Sequence, residues 1–245
     1  MRMSSRFSVL VALGSALSAS GCAWLSAVTG SDDWTPQSRT GWIAVRPDNG
    51  VWDDEYGRTA DLRNCSFEFE VSRCRRGIRV DAVVQDDFLV ADDCTPGAVS
   101  CPSWDDDNLE VFFDGNFDRA GGARAERETR NGGEFTLVAN GAAQSDFSGQ
   151  PKAFGKSWTG TARPERQADG SWRIRYELRF TWACLGRRRA PAAGEDVSFG
   201  FNICVHDDDD GGRNNHALYW RGNPDRPYRD RSRFGTITLK GCKQQ

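Results

Sequence analysis

Apolar and polar residues alternate along most of this chain, and that alternation predicts strands. Phe67, Phe69 and Val71 alternate with Glu68 and Glu70, the chain turns at Arg75-Arg76-Gly77, and a second strand returns from Ile78 to Val84. Trp172, Ile174, Tyr176, Leu178 and Phe180 fall on one face of a strand, with Arg173, Arg175, Glu177 and Arg179 on the other. Asp169-Gly170, just before that run, predicts a tight turn from a preceding strand at 159–166. Phe199, Phe201, Ile203 and Val205 repeat the pattern, and the segment from Leu109 to Asp114 and the final run Thr236 to Leu239 also read as strands. A period of two marks a sheet with one buried face. Glycine-rich stretches such as Gly121-Gly122 and Asn131-Gly132-Gly133 separate the strands. The expected fold is all-β: a two-sheet antiparallel β-sandwich, jelly-roll-like, without internal repeats.

The first forty residues break the pattern. Arg2 and Arg6 precede an apolar run from Phe7 to Ala19, followed by Ser20-Gly21-Cys22. Such a core is too short for a spanning helix and reads as an export signal. The cysteine after Ser-Gly fits the lipobox of bacterial lipoproteins, with Cys22 acylated as the mature N-terminus; ordinary secretion, with Cys22 a thiol, is the alternative. Residues 1–21 are therefore expected to be a lipoprotein signal peptide, 22–40 a small polar tether and 41–245 the sandwich. The expected location is the bacterial cell envelope, lipid-anchored to a membrane.

Composition narrows the function. The 245 residues carry 32 Lys and Arg against 35 Asp and Glu, a formal net charge of −3, which excludes a basic nucleic-acid surface. Nine Trp and fourteen Phe suit an aromatic β core, and the two Met both lie in the signal. Eight cysteines in an exported chain point to disulfides. Cys94 and Cys101 flank a turn-rich loop and are the best pair. Cys65 and Cys74 are poor partners, because a strand between them would hold them ~30 Å apart. Cys204, inside an apolar strand, is the candidate buried free thiol. No Cys-x-x-Cys spacing points to zinc.

Two loop aromatics stand outside the alternating stripes. Trp104 sits in Cys101-Pro102-Ser103-Trp104-Asp105-Asp106-Asp107, which runs into the strand bearing Glu110. Tyr228 closes the loop Trp220 to Tyr228, which also holds Asp225. A sugar ring offers apolar C–H faces and a polar rim, and aromatic slabs with carboxylates at the edge match it. Trp104 could instead anchor its own loop, and Glu110 could be a solvated strand residue. Trp172 and Trp182 read as core or strand-end packing, and Trp220 as core or cleft floor.

These segments resemble the family 9 carbohydrate-binding modules and related bacterial carbohydrate-binding-domain-like proteins. The resemblance rests on Trp104 with Asp107, on Leu109-Glu110-Val111-Phe112-Phe113-Asp114, on Gly200-Phe201-Asn202, and on Trp220 with Phe234-Gly235, and runs from Phe67 to Leu239. It implies that Trp104 and Tyr228 sandwich a sugar, that Glu110 is a site acid and that Asp225 stands where an Asn is usual. Thr136 occupies the position of an expected arginine and Cys204 that of a glutamine. The implied function is non-catalytic binding of a poly- or oligosaccharide, serving an envelope glycoside hydrolase or transporter.

The acidic runs Asp105-Asp106-Asp107 and Asp207-Asp208-Asp209-Asp210 concentrate hard oxygen ligands, although neither forms an EF-hand loop and a solvated turn would look the same. The resembled modules carry structural calcium, which makes calcium the expected cofactor without fixing its ligands. Catalysis finds little support. The carboxylates sit in loops suited to solvated, low-pKa groups, and neither His206 nor His216 lies near a nucleophile motif. The main rival is a DOMON-like surface or adhesion module, either haem-binding or without a ligand. Its haem would fall to His206 and His216, since the mature chain lacks Met.

Overall fold

A computed structural model describes residues 31–53, 65–99, 101, 103–119, 132–145, 154–209, 211, 216–222 and 230–241. Thirteen strands appear among them: β1 Ser38–Arg39, β2 Ile43–Val45, β3 Val51–Asp53, β4 Cys65–Arg73, β5 Gly77–Asp86, β6 Asn108–Asp114, β7 Gly132–Val138, β8 Ala143–Gln144, β9 Trp158–Arg166, β10 Trp172–Thr181, β11 Val197–Asp207, β12 His216–Tyr219 and β13 Gly235–Leu239. They form two antiparallel sheets, as the alternation predicts. One has six strands in the order β1-β4-β5-β10-β9, with β2 also on β4. The other has seven in the order β3-β12-β11-β6-β7-β8, with β13 also on β11. Among the described residues no helix is long and apolar enough to cross a membrane.

Register explains why the stripes bury together. On β10, Ile174, Tyr176, Leu178 and Phe180 pair with Val84, Ala82, Val80 and Ile78 of β5, all on the inner face. The seven-stranded sheet answers with Leu109, Val111, Phe113, Phe199, Phe201, Ile203 and Val205. Phe113 lies edge-on to Phe180 across the sandwich at 4.9 Å between centroids, and Trp220 edge-on to Phe69 at 5.2 Å. Trp220 is therefore core, Trp182 is buried in the same core from a short 3-10 turn, and Trp172 is half-buried at its strand end under Arg166.

The two outer faces differ. On the six-stranded sheet Arg79 meets Asp81 at 2.6 Å and Glu177 at 3.2 Å, and Arg179 meets Glu177, a partly solvated charge ladder. On the seven-stranded sheet every residue of β6 is buried on both faces. That outer face carries Phe112, Cys204, Ala217, Tyr219 and Phe234 as a second apolar cluster, with Glu110, Thr136, Asn202 and His206 among them.

The motif residues of the resemblance mostly build this sheet. β12 and β13 share one edge of β11, and the buried Asn202 closes the seam between them. Its amide donates to the Arg221 carbonyl at 2.8 Å and accepts from the Arg221 N–H at 3.0 Å. Gly235 opens β13 flat against Trp220, where a Cβ would lie 2.2 Å from the indole carbon Cζ3.

The sandwich also reaches further toward the N-terminus than the pattern suggests. Ser31–Trp34 form a 3-10 turn, Trp34 is buried against Cys74, and β1 pairs with β4, so residues 31–39 belong to the folded unit rather than to the tether. Two residues of strand and one indole are too short a signal for alternation to register.

Candidate functional site: the outer face of the seven-stranded sheet and its acidic end

β6 and β11 are neighbours, and their register brings the polar residues of the outer face together. Glu110 is the cross-strand partner of Cys204 on β11 and of Thr136 on β7, and His206 lies two residues beyond Cys204 on the same face. The Glu110 carboxylate accepts from Thr136 Oγ1 at 3.1 Å and from the Cys204 thiol at 3.6 Å, and His206 Nε2 stands 3.2 Å from Oε2. Glu110 is thus not a solvated strand residue: it is only 4% exposed. Burial by itself would raise its pKa. The charge and contact of His206, with the hydrogen bonds from Thr136 and Cys204, outweigh burial and hold the carboxyl below its ordinary value. Burial, followed by the Glu110 charge, pushes the Cys204 thiol up, and Cys204 is a buried free cysteine as expected.

Trp104 lies in the 3-10 turn Ser103–Asp105 just ahead of β6, and 47% of its surface is exposed. Other groups fix this loop. The Asp106 carboxylate accepts from the N–H groups of Asp92, Asp93 and Cys94 at 2.8, 3.0 and 3.1 Å. Asn108 Nδ2 donates to the carbonyls of Ser103 and Asp106. Cys94 and Cys101 form the expected disulfide, and Cys65 and Cys74 stay free at opposite ends of β4. Trp104 therefore does not anchor its loop; it is presented by it. Asp225 and Tyr228, like Cys22, lie outside the described residues.

The acidic runs are not solvated turns. Asp107, just before β6, and Asp207, at the end of β11, come together with Asp86, at the end of β5, and all three are buried. One ligand oxygen of each lies within 4.8 Å of the others. Asp107 accepts from the N–H groups of Val90 at 2.6 Å and Asp208 at 2.7 Å, and Asp86 Oδ1 from Phe88 at 3.2 Å. Asp86 Oδ2 and both oxygens of Asp207 are buried with no hydrogen-bond partner. Left to one another, these acids resist ionising. Burial, then Asp107 and Asp207, push Asp86 up to about 10; burial, against two backbone N–H bonds, leaves Asp107 at about 8; burial, then Asp209, takes Asp207 to about 7. Three buried carboxylates gathered in this way could supply oxygen ligands to a hard cation.

Sequence reasoning found two of these three acids and missed Asp86. The only available signal was the Asp86-Asp87 pair directly after a strand, which is also what an ordinary strand end looks like. Haem ligation by His206 and His216 together fails on strand parity. His206 pairs with Ala217 on the outer face, whereas His216 pairs with Asp207 in the opposite phase, so the two imidazoles leave the sheet on opposite sides.

The family described as Carbohydrate family 9 binding domain-like matches residues 37–242, and the chain belongs to it. Among solved structures it is similar to a family 9 carbohydrate-binding module from Caldicellulosiruptor kristjanssonii in complex with cellotriose. The identity is 19%, the TM-score 0.57, and the match covers 83% of this chain and 84% of that one. The glucose complex of that module matches at 19% identity and a TM-score of 0.57, covering 83% and 86%. A putative carbohydrate-binding protein from Bacteroides uniformis matches at 12% identity and a TM-score of 0.53, covering 80% and 85%. No curated protein matches the sequence.

Proposed function

We propose that this chain is a non-catalytic carbohydrate-binding lipoprotein of the bacterial cell envelope, with the sugar stacked between Trp104 and Tyr228. The observation that carries the reading is Trp104: a large apolar side chain left 47% exposed by a loop that a disulfide and three backbone N–H bonds to Asp106 hold in place. A fixed, exposed indole is a stacking platform that needs no ordering when the ligand arrives. Glu110 and Asp225 accept hydrogen bonds from sugar hydroxyls at its edge, and Thr136 and Cys204 make the floor less polar than the arginine and glutamine of the resembled modules would. The ligands of the Caldicellulosiruptor module make cellotriose the first probe. An envelope glycoside hydrolase or transporter that the module would hold close to its substrate fits this reading.

Calcium belongs to the same reading as a structural ion. Asp86, Asp107 and Asp207 would hold it, and its charge would stabilise three carboxylates that otherwise repel one another. Cys22 would carry the lipid.

Calorimetry with cellotriose and a glycan array on the calcium-loaded protein test the function. An aromatic contact is worth ~0.5–1.5 kcal/mol beyond its area burial. Trp104→Ala and Tyr228→Ala should therefore each weaken binding at least about tenfold, ~1.4 kcal/mol. Trp104→Ala should leave the melting temperature near wild type. Unchanged affinity in both variants would remove the sandwich, and an array without hits would remove the sugar.

A further inference from the structure

The trio on the outer face of the seven-stranded sheet has a second chemistry that cysteine spacing along the chain could not reveal. Glu110 and Cys204 are register partners on β6 and β11, and His206 follows Cys204 by one period of the strand. A carboxylate oxygen, a thiol sulfur and an imidazole nitrogen therefore converge, all within 4.8 Å of one another. Cys204 is 0% exposed, Glu110 4% and His206 8%. Glu110 Oε2 stands 3.2 Å from His206 Nε2 and 3.6 Å from Cys204 Sγ.

Those separations are the edges of a zinc tetrahedron. Bonds of ~2.1 Å to nitrogen and oxygen and ~2.3 Å to sulfur, at tetrahedral angles, give edges of ~3.4 Å for O···N and ~3.6 Å for O···S. Two of the three edges already have that length, so an ion would need little rearrangement of the strands. We propose that Glu110, Cys204 and His206 form a zinc site on the outer face, separate from the all-oxygen acidic cluster and chemically selected against calcium.

Ligand chemistry separates the two sites. Thiolate and imidazole suit zinc, whereas the Asp86, Asp107 and Asp207 oxygens suit a hard cation. Neighbouring groups are placed to orient the ligands. Thr136 Oγ1 engages Glu110 Oε1 and leaves Oε2 for the ion, and the Tyr219 hydroxyl hydrogen-bonds the Cys204 sulfur. A water completes the tetrahedron. The site stands whether or not a sugar binds. Once occupied, it withdraws Glu110 Oε2 from any sugar hydroxyl.

The test is a zinc titration of the reduced, chelator-stripped full chain in excess calcium, so that the acidic cluster is already supplied. One equivalent of zinc should bind. Cobalt(II) in its place should give a thiolate-to-metal charge-transfer band in the near ultraviolet and tetrahedral ligand-field bands in the visible. Cys204→Ser should abolish the charge-transfer band, and Cys204→Ser and His206→Ala should each weaken zinc binding by at least ~100-fold, more than orienting neighbours usually contribute. Asp207→Asn should leave zinc binding unchanged. X-ray absorption at the zinc edge of the wild-type chain avoids reliance on variants that fold poorly, and should show one sulfur with nitrogen and oxygen neighbours. No stoichiometric binding in calcium, a sulfur-free shell, or a charge-transfer band surviving in folded Cys204→Ser through Cys65, Cys74 or Cys184 would each overturn the site. Cellotriose binding, measured separately on the zinc-free chain, succeeds or fails independently.

Discussion

Replacing Asp207 with Asn should stabilise the chelated protein and shrink its gain from calcium. Both Asp207 oxygens are buried without hydrogen-bond partners, facing Asp86 and Asp107. In the chelated protein the folded carboxyl holds its proton more tightly than an unfolded one, about 7 against an ordinary 3.8. Asp207's contribution to the chelated fold is therefore fully present below about pH 4 and is lost as pH rises through about 7. Roughly three units at ~1.4 kcal/mol each amount to about 4 kcal/mol at pH 8. Asn removes the charge without removing volume. At ~2–4 °C per kcal/mol for a domain of this size, full relief would raise the chelated midpoint by about 8–16 °C. Asp86 and Asp107 still repel each other, so about half of that is expected. Calcium at 100 times its dissociation constant adds ~2.7 kcal/mol to the wild type, ~5–11 °C, and should add much less to the variant. Thermal melts at pH 8 and pH 5, in chelator and in calcium, decide the matter. A variant that melts below wild type in chelator, or that gains as much from calcium, would refute the reasoning.

Three further outcomes are expected. Glu110 is held below its ordinary 4.5, so it contributes stability above that pH and loses it as pH falls through the folded value; wild type should lose more stability than Glu110→Gln in acid melts below about pH 4.5, and parallel curves would deny the coupling to His206. Gly235→Ala would drive a methyl to within 2.2 Å of Trp220 and should cost ~1–3 kcal/mol in urea denaturation, whereas a neutral result would mean that β13 and the indole are not packed as described. Cys22→Ser should abolish labelled fatty-acid incorporation and membrane partitioning, and retained label would leave Cys22 without the lipid.

The sandwich was legible because alternation reports burial on one face directly. Phe67 to Val71, Ile78 to Val84 and Trp172 to Phe180 each carry that signal within one segment. Alternation says nothing about what covers the other face. By alternation alone Glu110 could be a solvated strand residue, since its neighbours Leu109 and Val111 point inward, yet β6 is central and Phe112, Tyr219 and Phe234 cluster on its outer face. Long-range convergence was equally silent. Asp86 and Asp207 end two strands and Asp107 precedes a third, and Glu110 meets His206 only through β6–β11 register. Ligand spacing along the chain detects sites built in one loop; it cannot detect sites built across a sheet.

The chain enters the sandwich at the end opposite Trp104. Trp34 packs against Cys74, and Asp33 pairs with Arg75 and Arg76, so the N-terminal segment joins the six-stranded sheet at the β4–β5 turn. Cys65 begins the same strand beside Asp86, ~30 Å away for nine residues of strand. Trp104 and the three aspartates lie at that far end. Under the proposed lipid anchor on Cys22, the indole would lie about a strand's length, ~30 Å, from the point where the tether meets the fold.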